Sequence, residues 1–162
     1  MSIYTKVGDG GKTFLFDGKK ISKNSSICEA LGSLDEVNSW LGVIGGLKET
    51  QKDLMIISSI LAGAKINFSS SKTKDLERRI DKLENKLPKL DGFIIPQEKS
   101  AKLHFARALI RRAERAVVAV PNLSAIRYPL LIYLNRLSDY IFTLARYSNF
   151  KEGKKEEIWK LT

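Results

Sequence analysis

The feature that most constrains this chain is a three- and four-residue apolar rhythm running from about residue 26 to residue 150. Ile27, Leu31, Leu34, Val37, Leu41 and Ile44 keep to it, and Gly45-Gly46 supplies a stop. Leu54, Ile57, Leu61, Ala64 and Phe68 repeat it as far as Ser69-Ser70-Ser71, which reads as a linker or turn. Thr73 can cap a third segment whose stripe is Leu76, Ile80, Leu83 and Leu87, closed by Pro88. Leu103, Ala106, Ile110, Ala113, Val117 and Val120 mark a fourth segment, about 100–120. After Pro121-Asn122, Leu131, Leu134, Ser138, Ile141 and Ala145 mark a fifth, about 124–149. Each stripe gives its helix one apolar side that must find a partner. Five such helices with short connections predict an all-α, five-helix antiparallel bundle.

The flanks lack this rhythm. Residues 1–25 hold four of the eleven glycines and read as an irregular loop or loose hairpin around Thr13 to Phe16. The stretch DGFIIPQEKS, Asp91 to Ser100, is too short for a paired sheet and contains Pro96, so it reads as an extended connection. The end, KEGKKEEIWKLT, reads as a mobile tail over 151–162 that Trp159 can dock. The expected organisation is therefore one domain over 1–162, made of an N-terminal loop (1–25), a bundle (26–150) and that tail. A chain of 162 residues buries enough surface to need no covalent staple, and the single Cys28 and single His104 lack the companions of a zinc site. The N-terminus has no signal-peptide core, and no apolar run reaches membrane-spanning length, so a cytoplasmic protein with no membrane partner is expected. A formal charge of +10 points to an anionic partner.

The N-terminal stretch TKVGDGGKTFLF ends in Gly11-Lys12-Thr13, the tail of a phosphate-binding Walker loop. That loop requires another glycine where Lys6 stands and a preceding buried strand, and only Met1 to Thr5 come before it. The Walker reading therefore fails. What remains is a backbone made permissive by Gly8, Gly10 and Gly11, with donors from Thr5, Lys6, Lys12 and Thr13. Alone, it is as compatible with a flexible terminus as with an anion grip.

The helices carry a second polar group. In the fourth segment, Arg107, Arg111 and Glu114 fall on one stripe with Arg115 beside it, about a quarter-turn from the apolar side. Guanidinium forks so placed can hold phosphate oxygens, or can form a surface ladder of ion pairs. In the fifth, Asn135, Ser138 and Asp139 lie at or beside the core stripe, as a buried network or the wall of a site. The first adds Asp35, Glu36 and Asn38, and Ser33 with Glu36 has the spacing of a capping box.

Taken together, TKVGDGGKT, Ser22-Lys23, EALGSLDEVNS, FIIP, RALIRRAER and YLNRLSD, in this order and spacing, resemble the PduO-type ATP:corrinoid adenosyltransferases across nearly the whole chain. The resemblance implies a homotrimer with ATP and Mg²⁺ held between subunits and a corrinoid beside them. The reaction it implies is transfer of the 5′-deoxyadenosyl group of ATP to cob(I)alamin, giving adenosylcobalamin and triphosphate. It implies that Thr5, Lys6, Val7, Gly8, Thr13, Phe14 and Lys23 grip the nucleotide from the N-terminal region. Arg111, Glu114, Arg115 and Asn135 would hold it from the helices. Asp35 would pair with Arg107 across the subunit boundary and shape the corrinoid pocket, and with Arg111 these form the implied catalytic set. Phe93 would displace the lower axial ligand of cobalt. Mg²⁺ would be carried by ATP phosphates, with no metal ligand from protein side chains. A reductase and a cobalamin-dependent enzyme are the further partners implied. Two departures stand out: Val7 replaces the usual hydroxyl residue, and Gln97-Glu98 replace a usual glycine pair after Pro96. The charge alone is also compatible with a basic helical nucleic-acid-binding module, and ATP binding with a regulator that does not turn over.

Overall fold

The computed structural model describes residues 3–121 and 123–160. Five helices carry the chain: α1 (Ser26–Ile44), α2 (Lys48–Leu61), α3 (Ser70–Glu84), α4 (Glu98–Val118) and α5 (Ser124–Lys151). Two small antiparallel ribbons flank them, β1 (Lys12–Phe14) with β2 (Lys20–Ser22), and β3 (Phe93–Ile94) with β4 (Ile158–Trp159).

The periodic stripes meet as one core. α4 packs between α1 and α5, α3 closes on α5, and α2 closes on α1. The entire fourth stripe is buried, as are Leu34, Val37, Leu41, Leu54, Ile57, Leu76 and Ile80. Each leucine, isoleucine or valine among them contributes about 1.5–3 kcal/mol by leaving water. In α5 the buried side is broader than the five-residue stripe implies. Leu130, Tyr133, Leu137 and Tyr140 are buried and Leu131 only partly so, because α5 touches both α4 and α3. One polar tie crosses this core: the Tyr133 hydroxyl donates to Asp53 Oδ2 at 2.9 Å, and the Lys72 ammonium pairs with Asp53 Oδ1. Burial, reinforced by the Asp53 carboxylate, pushes the Tyr133 phenol far above its ordinary range, so it stays protonated and keeps its donor to Asp53.

Several local expectations need correction. Ser69-Ser70-Ser71 is the start of α3 and not a linker, because the Ser69 hydroxyl accepts from the Ser71 amide and caps the helix; Thr73 lies buried within it. Ser33 caps nothing: α1 begins at Ser26, and the Ser33 hydroxyl donates to the Glu29 carboxylate one turn back. The connection 91–100 does pair. Phe93 lies opposite Trp159 and Ile94 opposite Ile158, so the segment read as a mobile tail is tied to the bundle through residue 159. A buried fork fixes it further, with Arg146 Nε donating to the Glu156 carboxylate at 3.1 Å and Nη2 to the Pro88 carbonyl at 2.9 Å. Met1, Ser2, Asn122, Leu161 and Thr162, which belong to the expected N-terminal loop, the break before α5 and the tail, lie outside the described residues.

The N-terminal hairpin is real and is docked at its tip. Leu15 N–H donates to the Lys19 carbonyl, Asp17 Oδ1 accepts from Lys19 N–H, and Gly18 takes the left-handed conformation the turn needs (φ 83°). Asp17 then sits where a side chain on Gly63 would be, 2.8 Å from an ideal Cβ, at a residue with φ +100°. Only glycine lets the hairpin tip rest on the end of α2.

Candidate active site

Two groups of side chains emerge, one at the hairpin base and one on the α4–α5 face. At the base, Lys6 adopts φ 59°, uncommon for a residue with a side chain, and two successive turns follow from Lys6 to Asp9 and from Gly8 to Gly11. The Lys23 ammonium lies 3.0 Å from where a Cβ on Gly8 would be, and the Lys23 amide donates to the Gly11 carbonyl at 2.9 Å. Gly8 is thus folded against the Lys23 side chain, while Thr5, Lys6 and Val7 beside it are exposed. Thr13 is half-buried on β1, while Phe14 is exposed with Lys20 5.6 Å from its ring centre.

On the bundle, Asn135 Nδ2 donates to Glu114 Oε1 at 3.3 Å, joining α5 to α4. Arg111 and Arg115 stand one helical turn apart on either side of this link, both exposed. Neither guanidinium has a hydrogen bond or ion pair among the described residues. The surface-ladder reading therefore fails for these two. Two guanidinium groups without an ion-pair partner there, beside an amide and a carboxylate joined to each other, can donate to the oxygens of a polyanion. Ser138 is satisfied inside its own helix by donating to the Asn135 carbonyl, and Asp139 pairs with Arg136 on the side facing Glu77 of α3. Neither joins the α4–α5 group.

Arg107 is half-buried, with its guanidinium carbon 5.5 Å from the Phe142 ring centre. His104 packs on the same ring and is itself buried. Burial, then the neighbouring Arg107 charge, lowers the His104 pKa, leaving Arg107 as the cation there. Asp35 is exposed on α1 and makes no ion pair with Arg107 within one chain. Its neighbour Glu36 pairs instead with Arg112 and fixes the α1–α4 register, a contact that sequence reasoning did not single out. Trp40 adds to that register by donating from Nε1 to the Lys102 carbonyl at 2.9 Å and packing edge-on against Phe105. Phe93 is 78% exposed on β3.

Among the described residues, no hydrogen bond or ion pair joins residues 3–25 to α4 or α5. The two halves of the predicted site are separately built.

The sequence profile of the cobalamin adenosyltransferase family matches residues 3–148. The chain is 37% identical to the corrinoid adenosyltransferase MMAB of Bos taurus, over 98% of this chain and 76% of that protein. It is 38% identical to the corrinoid adenosyltransferase PduO of Citrobacter freundii, over 99% of this chain and 54% of that protein. A solved variant of the PduO-type ATP:corrinoid adenosyltransferase from Lactobacillus reuteri, complexed with cobalamin and ATP, superposes with a TM-score of 0.91. The two share 32% identity, over 98% of this chain and 97% of that one. The chain belongs to the cobalamin adenosyltransferase family.

Proposed function

We propose that this protein transfers the 5′-deoxyadenosyl group of ATP to cob(I)alamin, releasing triphosphate, at a site completed by a neighbouring copy of the chain. The observation that carries the reading is the pair of unpartnered arginines, Arg111 and Arg115, flanking the Asn135–Glu114 link. Family membership supplies the chemistry, and this polar group supplies a place for the nucleotide.

The cobalt of cob(I)alamin is the nucleophile, so no protein group has to remove a proton. Its electron pair forms the cobalt–carbon bond to C5′ as the C5′–oxygen bond breaks, and that electron pair leaves on the triphosphate. The residues must therefore orient C5′ and stabilise the departing charge. Arg111 and Arg115 take phosphate oxygens from the helices, each charge-assisted bond contributing about 1.5–3 kcal/mol. Lys6, Lys23, Thr13 and the amides of Thr5 to Gly8 take them from the hairpin of the adjacent subunit, with Phe14 covering the grip. Val7, with no side-chain donor, offers only its backbone amide. Glu114 and Asn135 orient the ribose or an arginine. Asp35 and Arg107 pair between subunits and order the corrinoid side, where Phe93 covers the lower face of the ring.

Mg²⁺ would be held by the phosphate oxygens of ATP. The assembly we propose is a homotrimer, in which neighbouring chains would bring the two halves of the site together. No helix among the described residues is long and apolar enough to cross a membrane, and the setting we propose is the cytoplasm, with a reductase supplying Co(I).

The test is turnover: protein, ATP, Mg²⁺ and chemically reduced cobalamin, followed by the absorbance change of cobalt–carbon bond formation. Arg111→Ala should lower kcat/KM about 100-fold or more, as losing a charge-stabilising donor does elsewhere. Because Arg111 is exposed, the unfolding temperature should stay within a few degrees. No turnover by folded wild-type protein would refute the activity, and unaltered kcat/KM would remove Arg111 from it.

A further inference from the structure

A cavity of about 470 Å³ opens between the α3–β3 connection and the C-terminal segment. The connection supplies Leu87, Pro88 and Leu90, the last turn of α5 supplies Phe150, and β4 supplies Ile158. Leu90 is 40% exposed and Phe150 49%, so this apolar lining is left partly open to water. Small-molecule sites have this character, an apolar hollow of about 300–1,000 Å³ with a few polar groups. Arg146, the buried residue that borders the cavity, stands three turns beyond Asn135 on α5, about 16 Å along the axis. Neither the nucleotide group nor Phe93 borders this space.

Its polar lining is cationic. Lys89, Arg146, Lys154 and Lys155 border the cavity against Asp91 and Glu156. Glu156 is held by Arg146 Nε, and Lys154 pairs with Glu152 at 3.3 Å. Lys89 and Lys155 are exposed and have no ion-pair partner among the described residues, which leaves Asp91 alone to oppose them. Arg146 itself is not fully used. Its Nε and Nη2 are engaged, whereas Nη1 has no hydrogen bond among the described residues, in a side chain only 7% exposed. A nearly buried guanidinium donor calls for an acceptor. Apolar walls, an unused buried donor and two unpaired ammonium groups are together complementary to a molecule that is apolar at one end and anionic at the other.

We infer that this cavity binds a small amphipathic carboxylate. Its apolar part lies against Leu87, Leu90, Phe150 and Ile158, and its carboxylate is turned toward Lys89, Lys155 and Arg146. The site is separate from the nucleotide and the corrinoid and does not depend on either. Its walls belong to two segments that are otherwise joined by the β3–β4 pairing and the Arg146 fork, so an occupant clamps the terminal segment to the bundle. Supply of the carboxylate thereby sets how often that segment opens.

The test uses the full chain with 4-phenylbutyrate as the probe. ATP and Mg²⁺ are kept in excess, so that the cations of the nucleotide group are occupied. Calorimetry should give one probe molecule per chain with a Kd below about 1 mM, within reach of a ligand of this size in an apolar pocket. The uncharged 4-phenylbutyramide should bind about fivefold more weakly or worse. Leu90→Asp puts a carboxylate into the wall at an exposed position. It should weaken probe binding about tenfold or more and leave the unfolding temperature within a few degrees. Lys89→Gln/Lys155→Gln should weaken binding of the acid and leave that of the amide within about twofold. At about 10 mM probe, amide hydrogen exchange over 152–160 should slow about fivefold in the wild type and stay unchanged in Leu90→Asp. No binding at about 10 mM, equal binding of acid and amide, or wild-type binding by Leu90→Asp overturns the assignment. Probe binding that fades as protein concentration rises would put a second copy of the chain in the cavity and overturns it too.

Discussion

Removing the guanidinium of Arg146 with Arg146→Met should be among the more damaging single changes outside the apolar core. The Arg146 side chain is 7% exposed and its partner Glu156 15%. The fork makes two contacts to that carboxylate and one to the Pro88 carbonyl. Methionine fills much of the space but leaves a nearly buried carboxylate unpaired, a situation that typically costs about 3–5 kcal/mol. Glu156 has an escape, since it lies on the terminal segment and can reach water if β4 detaches. Detachment forfeits the ribbon's hydrogen bonds at about 1 kcal/mol each, which puts the expected loss near 3 kcal/mol. For a chain of this length that corresponds to a fall in unfolding temperature of about 6–12 °C. The assay is thermal and urea unfolding at one fixed protein concentration, because assembly would shift the midpoint with concentration. The double variant Arg146→Met/Glu156→Gln removes the stranded charge and should recover about 1–2 kcal/mol of the loss. A single variant within about 0.5 kcal/mol of wild type, or strictly additive singles, would refute this account of the fork.

Two further outcomes follow from buried groups. His104 has its pKa lowered from 6.5 by burial and by Arg107, so the unfolded chain takes up the proton more readily than the folded one. Its contribution to stability is complete above pH 6.5 and is lost as pH falls through the folded value. Urea unfolding of wild type and His104→Leu at pH 7.5 and about 5.5 should show a smaller pH loss in the variant, and equal losses would exclude His104 as a source. Gly63→Ala meets Asp17 at 2.8 Å in a backbone conformation with φ +100° and should displace the hairpin tip. The expected result is a KM for ATP raised about five- to tenfold, equivalent to roughly 1–1.4 kcal/mol, partly restored by Asp17→Gly. An unchanged KM would separate hairpin docking from nucleotide binding.

The bundle was legible because helical burial repeats locally. Every residue of the 103–120 stripe is buried, since one helix face can be read without knowing its neighbours. Leu130, Tyr133 and Tyr140 escaped because α5 is covered from two sides, which one narrow stripe cannot express. The β3–β4 ribbon left no local trace. Two-residue strands carry no usable alternation, and the segments they join lie more than sixty residues apart. Serine was the ambiguous letter: Ser69 caps a helix, whereas Ser33 bonds back within one, and the spacing to a following acidic residue does not separate these cases. In the site, the Asn135–Glu114 link could be anticipated from two stripes that border the core, and the Gly8–Lys23 approach from the glycines. Phe142 beneath Arg107 went unnoticed, since a phenylalanine beside a core stripe reads simply as packing. The nearest signal for the docked C-terminal segment was Trp159 next to Ile158 in an otherwise lysine- and glutamate-rich end.

Arg111 and Arg115 have a consequence for the molecule when it is empty. Like charges one turn apart repel by about 0.2–0.5 kcal/mol, and the carboxylate between them is engaged by Asn135. A nucleotide bound there would relieve that repulsion and also stabilise the fold by mass action, by about 2.7 kcal/mol at a hundredfold excess over its Kd. The folded population of the protein would then rise with the supply of nucleotide, and susceptibility to a protease that cleaves the opened chain should fall as ATP is added.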